Sequence, residues 1–196
     1  MKALIPLIFS LLLLAATFHH LPQSSAAVPG DSDFIRSACN TTLYADLCHS
    51  SISPYANAIK QNPSALARVG VAVAHAVVRG VATDVSALSR EAKGRAAGAI
   101  NDCISILGDA VDQMSESLGQ LRQIAAGKGG DFKFAIDTVL TEMSAALTNE
   151  DTCTDEFQDE PEGPVKNKVV DGVAKANKFT SIALAFVNYY AKKGSP

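Results

Sequence analysis

Apolar residues recur at helical period along most of this chain. One row passes through Ala96, Ile100, Cys103, Leu107, Val111, Met114, Leu118, Leu121 and Ala125, about eight turns of a helix with one buried face. Gly127-Lys128-Gly129-Gly130 interrupts it, because glycine is entropically costly in a helix and turns readily. A second row runs from Ile136 through Val139, Leu140, Met143, Ala146 and Leu147 to Cys153. Upstream, Leu66, Val69, Val73, Val77, Gly80, Asp84 and Leu88 keep helical spacing in a helix predicted from Ser64 to about Arg90. Downstream, Val169, Val173, Ala176, Thr180, Ala183, Leu184, Val187 and Tyr190 predict a last helix from Val165 to Ala191. No segment alternates with strand period. Four long helices joined by short turns make an all-α, up-down-up-down four-helix bundle over residues 64–196.

Residues 28–63 predict an N-terminal helical hairpin arm outside that bundle. Asp31, Ser32 and Asp33 are the N-cap candidates for a short helix carrying Phe34, Ile35 and Ala38. Pro54 and Pro63 punctuate another, from Tyr55 to Ile59. The Ala- and Val-rich first long helix, with Gly70 and Gly80, draws its stability from packing rather than propensity.

Folding the middle pair of helices about the Lys128–Gly129 bond puts Cys103 and Cys153 about 25 residues from the fold line on either side, level to within about one 1.5 Å rise. Four cysteines allow three pairings. The hairpin selects Cys103–Cys153, since bridged Cα atoms lie within roughly 7 Å, and leaves Cys39–Cys48. The larger loop stabilises by about 4 kcal/mol in the chain-entropy model.

The first 27 residues read as a secretory signal peptide: Lys2, an apolar run from Leu4 to Ala16 too short to span a bilayer, and small residues up to Ala27. No second apolar run of transmembrane length follows, so the mature chain is expected to be soluble, exported and free of membrane. Losing Lys2 with the signal leaves 16 basic residues against 20 acidic ones. That excess of acid speaks against nucleic-acid binding. Disulfides suit an oxidising compartment, and Asn40-Thr41-Thr42 is an N-glycosylation sequon.

Chemistry is hard to find. Only His49 and His75 lie beyond the signal, neither in a triad motif, and no CxxC, metal-ligand spacing or cofactor fingerprint occurs. The run from Glu150 to Glu162 holds seven acids in thirteen residues and reads as a solvated loop rather than a dry acid–base pair. An enzyme, a metal site and a cofactor are not expected. Ser105, Asp109 and Asp112 fall roughly 180–240° around their helix from Cys103 and so line its outward face.

The chain resembles the plant invertase and pectin methylesterase inhibitors. The carriers are Phe34-Ile35-Arg36-Ser37-Ala38-Cys39-Asn40-Thr41-Thr42-Leu43-Tyr44-Ala45-Asp46-Leu47-Cys48, the segment from Cys103 to Asp109-Ala110-Val111-Asp112, and Ser144-Ala145-Ala146-Leu147-Thr148-Asn149-Glu150-Asp151-Thr152-Cys153. The resemblance implies a disulfide-stapled bundle with a hairpin arm. It also implies a secreted inhibitor, monomeric when free, that covers the pectin-binding cleft of pectin methylesterase in a 1:1 non-covalent complex. Target contacts carried over on that resemblance are Ser105, Asp109, Asp112, Thr152 and Asp155. The invertase branch instead presents Pro-Lys-Phe before the third long helix; here the place reads Phe132-Lys133-Phe134. Inhibition of an acid invertase is the second reading, and a non-inhibitory helical carrier the third.

Overall fold

The structure, a computed structural model, describes residues 30–194. The expected signal peptide, with its cleavage near Ala27, lies outside the described residues. The elements are α1 (Asp31–Cys39), α2 (Ala45–Ile52), a 3₁₀ turn (Ser53–Tyr55), α3 (Ala56–Ile59), α4 (Pro63–Leu88), α5 (Arg95–Ala125), α6 (Phe132–Asp155) and α7 (Pro164–Lys193). No strand occurs among the described residues.

Local chemistry sets the ends. Asn62 accepts from the Ala65 N–H at 3.0 Å and caps α4, with Pro63 in the first turn, where its missing N–H is no loss. Gly127 and Gly130 turn the chain with φ of 68° each, and Asp131 then accepts from the Phe134 N–H at 2.8 Å to open α6. The helix thus begins four residues before the apolar row at Ile136. Its start is set by a cap, which periodicity does not register.

The four long helices form a ring in which α4 and α6 each pack on both α5 and α7. Cys103 and Cys153 are bridged with Cα atoms 4.5 Å apart, and Cys39 and Cys48 with theirs 5.5 Å apart, both as the spacing predicts. The core of α5 is Ala99, Ile100, Cys103, Leu107, Ala110, Met114, Leu118, Leu121 and Ile124. Val111 is only half-buried and Ala125 is exposed, so the buried stripe shifts by one residue to Ala110 and Ile124, and at the start of the helix Ala96 is half-buried while burial begins at Ala99. On α6, Leu140 and Leu147 are likewise half-buried flanks.

The α4 row needs a larger correction. Its bundle-facing residues are Ala67, Val71, Ala74, Val78, Val81, Val85 and Leu88, whereas Val77 is half-buried and Gly80 and Asp84 are exposed. Val69 packs against the arm instead, and Val73 against both the arm and the bundle core. With Ala and Val on nearly every side, this helix offers two apolar faces, and a single-row reading follows the wrong one. By length and composition α4 would also suffice to cross a membrane, with mean hydropathy 1.5, contrary to the expectation that no such run follows residue 27; 44% of that window is buried inside the protein.

The arm is not set apart from the bundle. Ile35, Ala38, Cys39, Cys48, Ile52 and Ile59 share a second core with Leu66 of α4 and Ile182 and Phe186 of α7. Phe34 and Tyr189 meet edge to face at 6.2 Å. Between α6 and α7, Phe157 is fully buried in the main core, so the acidic connection doubles as a plug. Its acids meet cations at that end of the bundle: Arg95 lies 3.5 Å from Glu160, and Lys166 2.9 Å from Glu162.

Candidate functional site

Ser105, Asp109 and Asp112 are exposed on α5, as the angular argument predicts. The core residues Cys103, Leu107 and Ala110 hold the opposite side of the same turns. Asp112 leans toward α4, where it lines a groove of about 400 Å³ with Arg79, Thr83, Ser86, Gly108 and Val111. Asp109 leans the other way. Gln113, one turn further along, accepts from Asn149 Nδ2 of α6 at 3.1 Å and ties the two helices on that side.

Thr152 lies one turn beyond Asn149 on α6, half-buried beside the same seam. Its hydroxyl donates to the Thr148 carbonyl at 2.9 Å, which commits its only hydrogen and leaves its lone pairs for a partner. Asp155 is exposed and accepts from Gln158 at 2.6 Å. It sits roughly 40° around α6 from Asp151 and 60° from Thr152. Asp151 accepts from Asn177 of α7 at 2.7 Å. Asp155 is therefore displaced toward α7. The structure gathers Ser105, Asp109, Asp112 and Thr152 on the outside of the α5–α6 hairpin and sets Asp155 at its edge.

The reading of Glu150 as part of a solvated loop is wrong. It lies inside α6, three residues before Cys153 on the core row, and is fully buried. Burial pushes its carboxyl pKa up to about 8; the hydrogen bond shared with the Thr180 hydroxyl opposes the rise, and Asp151 adds to it. Helical spacing from Met143, Ala146 and Cys153 would have found it; the acidic composition around it hid it. The contacts of Arg79, Gln113 and Asn149 are not legible in the sequence, because a polar residue's partner on another helix leaves no mark in one-dimensional spacing.

Elsewhere chemistry is sparse. His75 is half-buried, its pKa lowered by burial and by Arg79. Among the described residues no three His, Cys, Asp or Glu side chains stand close enough to hold a metal. All four cysteines are bridged. At the start of α6, Phe134 is 76% exposed, while Phe132 packs edge to face on Tyr190 at 5.3 Å.

Residues 33–186 match the family described as plant invertase/pectin methylesterase inhibitor. The chain belongs to that family. It is a family of inhibitors rather than enzymes. Pectinesterase inhibitor 9 of Arabidopsis thaliana is 38% identical over 197 residues, across 96% of this chain and 95% of its own. A Daucus carota protein named 21 kDa protein is 34% identical over 190 residues, across 95% of each chain. Two solved Arabidopsis pectin methylesterase inhibitors share the fold. One, a mutant form, superposes with a TM-score of 0.63 at 20% identity over 79% of this chain and 95% of that one. The other gives 0.55 at 21% identity over 81% and 96%. The family match thus spans the hairpin arm, both disulfides and most of the bundle.

Proposed function

We propose that this protein is a secreted inhibitor of pectin methylesterase. It covers the enzyme's pectin-binding cleft in a 1:1 non-covalent complex and so modulates de-esterification of pectin in the cell wall. The observation that carries the reading is the outward face of the stapled α5–α6 hairpin, with exposed Asp109 and Asp112, exposed Ser105 and the adjacent Thr152. In a chain 38% identical to a pectinesterase inhibitor, these are the positions the resemblance assigns to target contact. Helices bound on both sides and tied by a disulfide lose little entropy on docking, so a modest set of polar contacts suffices. Asp155 contributes at the rim. Residues 28–63 and 64–196 act as one inhibitor unit, monomeric when free, and Asn40, exposed beyond α1, carries a glycan after export.

One observation favours inhibition of an acid invertase as a second reading: Lys133 and Phe134 stand exposed at the start of α6, where that branch presents its Pro-Lys-Phe. Here the first position is Phe132, held against Tyr190, so only two of the three side chains are offered. Titrating the recombinant protein separately into a plant pectin methylesterase and a plant acid invertase tests both. Stoichiometric loss of esterase activity is expected; loss of invertase activity alone overturns the proposal.

A further inference from the structure

Glu150 is a fully buried acid with no cation acting on it. The hydroxyl of Thr180 on α7 lies 2.5 Å from Glu150 Oε1 and 3.3 Å from the Ala176 carbonyl. A hydroxyl has one hydrogen, and here it has two acceptors. A proton on Glu150 resolves this: the carboxyl donates to Thr180, and Thr180 donates to Ala176. Glu150 Oε2 is buried without a partner, which a neutral carbonyl oxygen tolerates far better than one sharing a full charge.

The surroundings offer no counter-ion. On α6 the neighbouring charge is Asp151, which disfavours ionisation and is turned outward onto Asn177. On α7, Lys178 lies over the Tyr44 ring, 5.9 Å from its centre. On α4, His75 and Arg79 act on each other. On α5, Gln113 is engaged with Asn149, and Asp109 and Asp112 face solvent.

We infer that Glu150 is a positioning residue whose proton latches the C-terminal part of α6 to α7 and so holds Thr152, two residues on, in register with the α5 face. This rests on the reading of that face as the target surface. The sign follows from where the proton is held. Below the unfolded value near 4.5 both folded and unfolded chains carry it, and the latch contributes in full. As pH rises toward about 8 the unfolded chain gives the proton up first, so stability falls across that window. Glu150→Gln is neutral at every pH and keeps a donor and an acceptor for Thr180.

The test compares wild type with Glu150→Gln at pH 5 and pH 8.5 in two measurements: melting temperature of the free protein, and affinity for an immobilised pectin methylesterase. Wild type should melt lower at pH 8.5 and bind up to about fourfold more weakly there than Glu150→Gln, the loss expected when only the protonated form binds and the carboxyl titrates at about 8; the melting temperature of Glu150→Gln changes far less with pH. Equal pH slopes of melting in the two proteins overturn the latch, whatever the target. Equal loss of affinity in both overturns its link to binding, since the pH effect then belongs to the enzyme. No binding by either at either pH sinks the functional reading, and the positioning role with it.

Discussion

Gly70 and Phe186 meet where the arm joins the bundle: a Cβ at Gly70 would stand 2.6 Å from Phe186 Cδ2 and 3.6 Å from the Ala183 Cα. Phe186 is buried among the arm's core residues Ile35, Ile52 and Ile59, so it has little room to withdraw. The missing side chain lets α4 and α7 close on each other while Phe186 reaches the arm.

Gly70→Ala should therefore destabilise the protein by about 1–3 kcal/mol, because overpacking outweighs the helix-propensity gain of up to about 1 kcal/mol. At Gly80, on the same helix, a Cβ would meet nothing within 4 Å. Gly80→Ala should stabilise by about 0.5–1 kcal/mol. Thermal melts of the two variants decide it; shifts of the same sign would contradict the packing role of Gly70.

The two disulfides close loops of different length, 9 and 50 residues. Replacing Cys103 and Cys153 by Ser should cost several kcal/mol, and about 1 kcal/mol more than the same change at Cys39 and Cys48. Denaturant titration of both double variants measures the difference. Peptide mapping that joined Cys39 to Cys103 or Cys153 would refute the pairing.

Phe157 sits in a run of acids yet is fully buried. Phe157→Ala should cost about 3–5 kcal/mol, as for a core aromatic. Gln158→Ala, next to it and exposed, should stay within about 0.5 kcal/mol of wild type. Equal, small effects in a denaturant titration would return this connection to a solvated loop.

The parts of the fold that are legible in sequence are those where one pattern dominates. Equal arms about a glycine turn place Cys103 opposite Cys153, and sharp polar contrast on α5 turns Ser105, Asp109 and Asp112 outward. Reading fails where two demands share one helix. On α4, Val69 serves the arm, Val71 and Val78 the bundle and Val73 both, so spacing alone cannot rank them. It also fails where residue type argues against register. Glu150 and Phe157 each follow the core, and the acids around them signal solvent. Asp155's displacement toward α7 depends on Asn177, which belongs to another helix.

The most direct measurement is the inhibition constant for a plant pectin methylesterase of Asp109→Ala with Asp112→Ala, set beside that of Lys168→Ala with Lys175→Ala. All four residues are exposed, and the one ion pair among them, Lys168 with Glu91 at 3.5 Å, is a surface pair worth at most about 1 kcal/mol. Folding should barely change in either variant. Losing the α5 acids should weaken inhibition by about 1–3 kcal/mol per residue, a factor of roughly 5 to 150 each, with the lysine variant close to wild type. Equal loss in both double variants, or none in either, would contradict the assignment of this face as the target surface.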